Sequence, residues 1–375
     1  MPPLSTQQPP QIETPNYLLR ISTTVLAVAL VGTASYFGYE SYKKTRPVNQ
    51  QPNQTYLNLK QDENFREAQA AVKRNDYEAA LTDYRKVPTD NTAEYSFVQY
   101  EIANVLLNIN RESGIQAFSD VIASSSINSQ TKGYAINALA RTYSSSHDQN
   151  ILDVLKKESL EWSTVNPAPP LIQKFVSAET YNDAYTALLE IGSAHYPIMD
   201  SEMRLAFEYA KKARDIKDQN NSEQFKLYIN KSLEKIQSGD SDPNNTKLSE
   251  NLSWMLPLAL NRKAMTLGLL RSLGEETEDP AYYFEQALNL ATAQGIKVQP
   301  FINYNYATYL NNSTIASQKE KITALIQPLV ENRNDPYFVE FFEFTKNAYK
   351  NNEITNIKNL DALAKIYPPF GEIIR

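Results

Sequence analysis

From about Asp62 onward, apolar positions recur three and four residues apart in segments of 11 to 17 residues, separated by short runs of Asn, Asp, Ser, Pro and Gly. That spacing places the apolar side chains on one face of a helix, and the polar runs mark turns. The segments come in pairs. Glu63 to Arg74 goes with Tyr77 to Val87, Ala93 to Ile109 with Gly114 to Ala123, and Leu258 to Ser272 with Ala281 to Ala293. No comparably long stretch alternates apolar and polar residues as a half-buried strand does, so the expected fold class is all-α with few strands or none. Two breaks interrupt the pattern, Asn166-Pro167-Ala168-Pro169-Pro170 and the polar run Ser238 to Asn245. They divide the body into residues 62–165 and 166–375, and both read better as long loops in one continuous array than as hinges.

The amino-terminal region follows a different pattern. Residues 1–16 are rich in Pro and polar side chains, can bury nothing, and are expected to be a disordered tail. Within residues 17–44, Ile21 to Tyr39 are 19 residues without a charge, bounded by Arg20 and by Glu40, Lys43, Lys44 and Arg46. As a helix this run reaches roughly 28 Å, close to a hydrocarbon core of about 30 Å, so a single transmembrane helix is expected there. Tyr17, Tyr36, Phe37, Tyr39 and Tyr42 suit the interfacial aromatic belts. A signal peptide cleaved after Ala34 or Ser35 is the competing reading, disfavoured by the bulky aromatics and the missing A-x-A pattern. Ala34 and Gly38 form a small-x-x-x-small pair through which two spans could meet as a homodimer. A polar linker, 45–61, joins the span to the body. One basic residue before the span against three after it favours a cytoplasmic body. The absence of Cys and the Pro, Gln and Asn-rich linker favour the opposite side.

Paired helices of this length invite a repeat, because such a unit cannot bury its apolar face alone. In AQAAVKRNDYEAALTDYRKV, Ala68 precedes Ala80 by twelve residues, Tyr84 and Val87 follow Ala80 by four and seven, and Asn75-Asp76-Tyr77 makes the turn. This unit resembles a tetratricopeptide repeat. Similar spacing recurs at Ala194, Ala206, Ala210 and Ala213, at Gly268, Pro280, Phe284 and Ala287, and in degenerate form at Gly114, Phe118 and Val121, with a further pair starting at Asn305-Tyr306-Ala307. The family's helix A tryptophan is absent from these units and its closing proline is out of register. The resemblance implies an α-solenoid of stacked helical hairpins. Over Tyr36 to Val87 the plan is also similar to bacterial inner-membrane proteins with one span and a tetratricopeptide-like body, among them the ancillary subunit of the secretion translocon. That likeness implies an extracytoplasmic body.

Composition removes most catalytic chemistry. With no Cys and only His147 and His195, thiol nucleophiles, disulfide frameworks and the usual zinc sites are excluded or nearly so. The 10 glycines stand against about 26 at average usage and fall into no phosphate-binding motif. His147 lies in a Ser-rich turn and His195 near a helix end. Asp240, Asp242 and Asn244 imitate the start of a calcium loop, but Asn245 and Asn251 stand where Gly and Glu are required. Ser41, Ser129 and Ser232 each precede a Lys by three residues without the companion motifs of that nucleophile. The acidic run Glu275, Glu276, Glu278 and Asp279 sits where carboxylates favour a helix N-terminus. No catalytic, cofactor-binding or metal-ligating residue is assigned, and no cofactor is expected. The net charge of −6 and the lack of basic stripes make nucleic acid an unlikely partner.

The expected function is therefore a non-enzymatic, membrane-anchored adaptor or scaffold that binds proteins or peptides, in envelope assembly or protein export. The alternatives are a cytoplasm-facing recruitment scaffold and, behind it, an envelope hydrolase using scattered carboxylates. The 24 tyrosines, Tyr304, Tyr306 and Tyr309 among them, are read as hairpin core or as a row gripping a peptide.

Overall fold

The computed structural model describes residues 54–146, 149–162, 169–217, 219, 221–240, 255–295, 299–313, 318–335 and 338–374. The expected tail, span and most of the linker, with Ala34 and Gly38, lie outside them. Among the described residues every regular element is an α-helix, and none is long and apolar enough to cross a membrane.

A short helix, α1 (Gln54–Leu59), occupies part of the stretch expected as linker. Tyr56 and Leu59 are buried, and the Tyr56 ring meets Phe65 and Phe97 edge-on at 6.1 and 5.9 Å. The first pair is α2 (Glu63–Lys73) and α3 (Tyr77–Tyr84). Asp62 caps α2 by accepting from Phe65 N, and Asp76 caps α3 by accepting from Ala79 N. Between them Asn75 takes a left-handed backbone, φ 62°, which Asn tolerates better than most residues. Ala68 and Ala80 are fully buried and let α2 and α3 meet closely, with the Tyr84 ring wedged against Phe65 at 5.7 Å. Val87 is buried but lies in the turn beyond α3.

The second pair, α4 (Thr92–Ile109) and α5 (Arg111–Ala123), turns on Asn110 alone, whose side chain accepts from Ser113 N. So tight a turn needs Gly114, because a Cβ there would stand 2.3 Å from the Leu107 Cα. Next come α6 (Ser129–Ser146), α7 (Gln149–Trp162), α8 (Pro169–Val176) and α9 (Tyr181–His195). Here the order departs from simple consecutive hairpins. The partner of α6 is α9, with Gly192 admitting Ile136 and Gly133 admitting Tyr196, while α7 packs on α5 and α8. Trp162, fully buried, holds α7 in place by donating from Nε1 to the Ser119 Oγ of α5 at 2.9 Å. The boundary expected at residue 166 thus falls between two paired helices.

Beyond it, α10 (Met199–Ile216) packs on both α11 (Ser222–Asp240) and α12 (Met255–Leu273). Ala206, Ala210 and Ala213 are buried, and Ser232 of α11 donates to the Ala206 carbonyl at 2.8 Å. Ala194 is exposed at the end of α9, so the repeat register expected there is displaced: the pair is α10 with α11. Then follow α13 (Pro280–Ala293), α14 (Gln299–Asn312), α15 (Lys319–Glu331), α16 (Val339–Lys350), α17 (Ile354–Ile366) and α18 (Pro368–Ile374). α12 pairs with α13 and α14 with α15, and α12 also touches α14. Tyr304 and Tyr306 are core residues, and Tyr306 stacks on Phe284 at 5.0 Å.

Gly114→Ala is expected to destabilise the protein by about 1–3 kcal/mol, because the added methyl meets backbone that cannot yield locally. Urea unfolding measures this, and an unchanged midpoint would show that α4 and α5 lie further apart.

Candidate functional site

The stripe of α10 opposite its alanine face is polar. Asp200, Arg204, Glu208 and Lys211 follow one another at helical spacing, with Phe207 beside them. Asp200 is almost fully buried. Its Oδ2 accepts from Arg204 Nε and from the Asn137 Nδ2 of α6, both at 3.1 Å, while Arg204 Nη1 donates to the Tyr185 hydroxyl of α9 at 3.1 Å. One carboxylate thereby joins three helices. Arg141, one turn after Asn137, and Arg262 of α12 complete the group, and the guanidinium of Arg262 stands over the Phe207 ring at 5.1 Å. Lys211 reaches the same ring at 5.9 Å and pairs with Glu208 at 2.8 Å. The seam continues to α14, where Asn305 donates to Asn261 at 3.3 Å.

Among the described residues this seam gathers Arg141, Arg204, Arg262 and Lys211 against Asp200 and Glu208. Burial would raise the Asp200 carboxyl, yet Arg204, Arg141 and the Asn137 amide hold it below its ordinary value. Burial also opposes the charge on Arg204, and Asp200 and Tyr185 overcome it, so that group stays firmly cationic. The other two guanidiniums lose that contest. Burial, reinforced by the neighbouring Arg204, pushes Arg141 down to about 10 despite Asp200, and it lowers Arg262 as well. Arg141 and Arg262 are partly buried, the Arg204 side chain is only 11% exposed, and the Oδ1 of buried Asn137 has no hydrogen-bond partner among the described residues.

The other features marked in the sequence are structural. His195 is buried at the end of α9, and burial, with Lys132 adding to it, lowers its imidazole to about 4. His147, Asp242, Asn244 and Ser41 lie outside the described residues. Asp240 pairs with buried Lys263 at 2.6 Å, Ser232 is committed to the Ala206 carbonyl, and Ser129 is exposed while Lys132 is buried. Asp279 caps α13 by accepting from Ala281 N, whereas Glu278 takes the Tyr283 hydroxyl and stands 3.4 Å from Lys263. A groove of about 660 Å³ between α3, α4 and α5 is floored by Val98, Ile102 and Val121 and carries only Arg85 and Asp120 as formal charges. Among the described residues no three His, Asp or Glu side chains converge as metal ligands.

The sequence reading passed over Asn137, Arg141, Asp200, Arg204 and Arg262. A signal was present: Asn261-Arg262-Lys263 interrupts an otherwise apolar helix, and α10 sets a charged stripe opposite its alanines. Comparison of the chain with protein-family models, with curated proteins and with solved structures finds no match.

Asp200→Ala leaves Arg204 without its buried counter-charge and is expected to cost about 3–5 kcal/mol in chemical unfolding; a loss below about 1 kcal/mol would show the network to be solvated. His195 makes a second prediction. Its folded-state value lies below the unfolded one of about 6.5, so the unfolded chain binds the extra proton first. Stability is then lost as pH falls from about 6.5 to 4, by up to about 3 kcal/mol. His195→Gln should flatten that part of the melting-temperature profile, and an unchanged slope would place the transition elsewhere.

Proposed function

We propose that this chain is a non-enzymatic adaptor or scaffold, tethered to a membrane by residues 21–39, whose tetratricopeptide-like helical array binds a protein or peptide. The observation that supports this most is the seam itself. Helix pairs stack one after another, and helices from several of them contribute polar and cationic side chains to that strip. Extended partners suit such a strip, since each stacked pair offers one more contact. The groove between α3, α4 and α5 lacks the paired carboxylates that a hydrolase of the expected kind would need. Orientation is proposed as extracytoplasmic, on the resemblance of Tyr36 to Val87 to single-span envelope proteins.

Two measurements test this reading. Paired topology reporters fused after Arg375 should give the signal that is active only outside the cytoplasm. The reverse signal would make the body a cytoplasm-facing recruitment scaffold, in keeping with Lys43, Lys44 and Arg46. A photo-crosslinking side chain at Phe207 should yield discrete protein adducts in cells, and one at exposed Leu227 should not. Absence of any polypeptide adduct at Phe207 would overturn the adaptor reading.

A further inference from the structure

One face of α4 stays open. Tyr95, Val98, Gln99, Ile102 and Leu106 recur three and four residues apart, so they share a side of the helix, and all five line the groove of about 660 Å³. The helices α3 and α5 each pack on α4 and scarcely on each other, which leaves this face as a floor between two walls. Tyr95 is 40% exposed there, and Ile102 and Leu106 are partly exposed. Covering that apolar floor would add hydrophobic stabilisation that the chain alone forgoes.

The walls carry opposite chemistry. On one, Arg85 is exposed at the C-terminal end of α3, where the helix dipole favours a cation. On the other, exposed Asp120 lies in the last turn of α5, where the dipole opposes a carboxylate, so its own helix gives no reason for it. Asp120 accepts from the Gln116 amide at 3.1 Å, and among the described residues neither it nor Arg85 has an ion-pair partner. A guanidinium only donates hydrogen bonds, and an ionised carboxylate only accepts them. Thr89 adds a hydroxyl to the first wall. Ser124, whose oxygen accepts from Ser126 N at 3.2 Å, adds another to the second.

The dimensions select the shape of an occupant. From Tyr95 to Leu106 the floor runs roughly 16 Å at 1.5 Å per residue, so the groove has a mean cross-section of about 40 Å². A helix with its side chains is about 10–12 Å across and needs roughly 80 Å² or more. An extended strand takes about 4.8 by 10 Å, near 48 Å². The groove therefore suits an extended chain, and about five residues span its length. Such a chain presents N–H and C=O groups along both edges and turns alternate side chains to one face. A donor on one wall, an acceptor on the other and an apolar floor between them match those three features.

We infer that the groove between α3, α4 and α5 docks an extended segment of about five residues from a partner polypeptide. Its main chain accepts from Arg85 on one edge and donates to Asp120 on the other, and apolar side chains at alternate positions lie on Ile102 and Leu106. The inference rests on the adaptor reading and gives a partner segment its chemistry, at a site separate from the α10 seam.

The test uses the full-length protein in phosphatidylcholine nanodiscs, with empty nanodiscs as the blank. The probe is a fluorescein-labelled five-residue peptide, leucine at the first, third and fifth positions and serine between, amidated at its C-terminus. Anisotropy should show saturable binding. The same peptide with both serine amides N-methylated lacks main-chain donors and should bind at least tenfold more weakly, about 1.4 kcal/mol. Asp120→Ala and Arg85→Ala should each weaken the parent peptide by the same factor without lowering the melting temperature, because both side chains are exposed. Exposed Arg333→Gln, outside the groove, should change neither property. Equal binding of parent and N-methylated peptides, or parent affinity intact in both groove variants, would overturn the proposal. If the parent peptide fails to bind while Phe207 still crosslinks to polypeptide, the groove site falls and the adaptor reading stands; if both fail, both fall.

Discussion

Close approach between paired helices is the constraint on which everything else here depends. A helix of 10 to 20 residues buries only a stripe of itself, and two of them still leave apolar surface in water. The pairs can stack only if their axes come near enough for side chains to interlock. Small residues at the crossings provide that distance: Ala68 with Ala80, Gly114 against Leu107, Gly192 against Ile136, and Ala206 under Ser232. Aromatic rings then fill the spaces between pairs, as Tyr84 does against Phe65 and Tyr306 against Phe284. The pattern of small residue at the crossing and ring at the step repeats along the body without a fixed sequence period.

That irregularity has a physical source in residues 149–176. In sequence α7 and α8 stand between α6 and its partner α9; α7 finds burial by packing sideways on α5, and α8 packs on α7 and α9. Trp162 and its hydrogen bond to Ser119, with Glu158 accepting from the same hydroxyl, make this excursion stable. Stacked helix pairs tolerate such an insertion because each pair needs only its neighbours. The effect on the site is direct, since α6 and α10 still meet through Asn137 and Asp200 although 63 residues separate them in sequence.

The arginine seam shows how one network can hold one cation firmly and another against the pull of burial. Asp200 is a structural residue, joining α6 and α10 and fixing Arg204 against Tyr185. Arg262 is different. It packs on Phe207, and burial and the neighbouring Arg204 work against its charge more than Tyr185, Glu208 and Asp200 support it.

The helical class, the limits of the three helix pairs named from spacing, to within about three residues, and some of the small-residue crossings were legible in the chain. Ala68, Ala80, Phe118, Phe284 and Ala287 are all buried where the spacing put them, because helix period and side-chain volume are local properties. Ala194 was misplaced, because a run of spaced alanines does not say which of two neighbouring helices is the partner. The pairing of α6 with α9 was equally out of reach, since it depends on where α7 finds burial. The site was the least legible part. Asn137, Asp200, Tyr185 and Arg262 come from four helices, and each alone reads as an ordinary polar residue. The sequence by itself determined that this chain builds paired helices and that it lacks the groups for thiol or zinc chemistry. Only the tertiary structure decided which charges share a low-dielectric neighbourhood, because coulombic coupling depends on distances in space that helix packing sets and chain order does not.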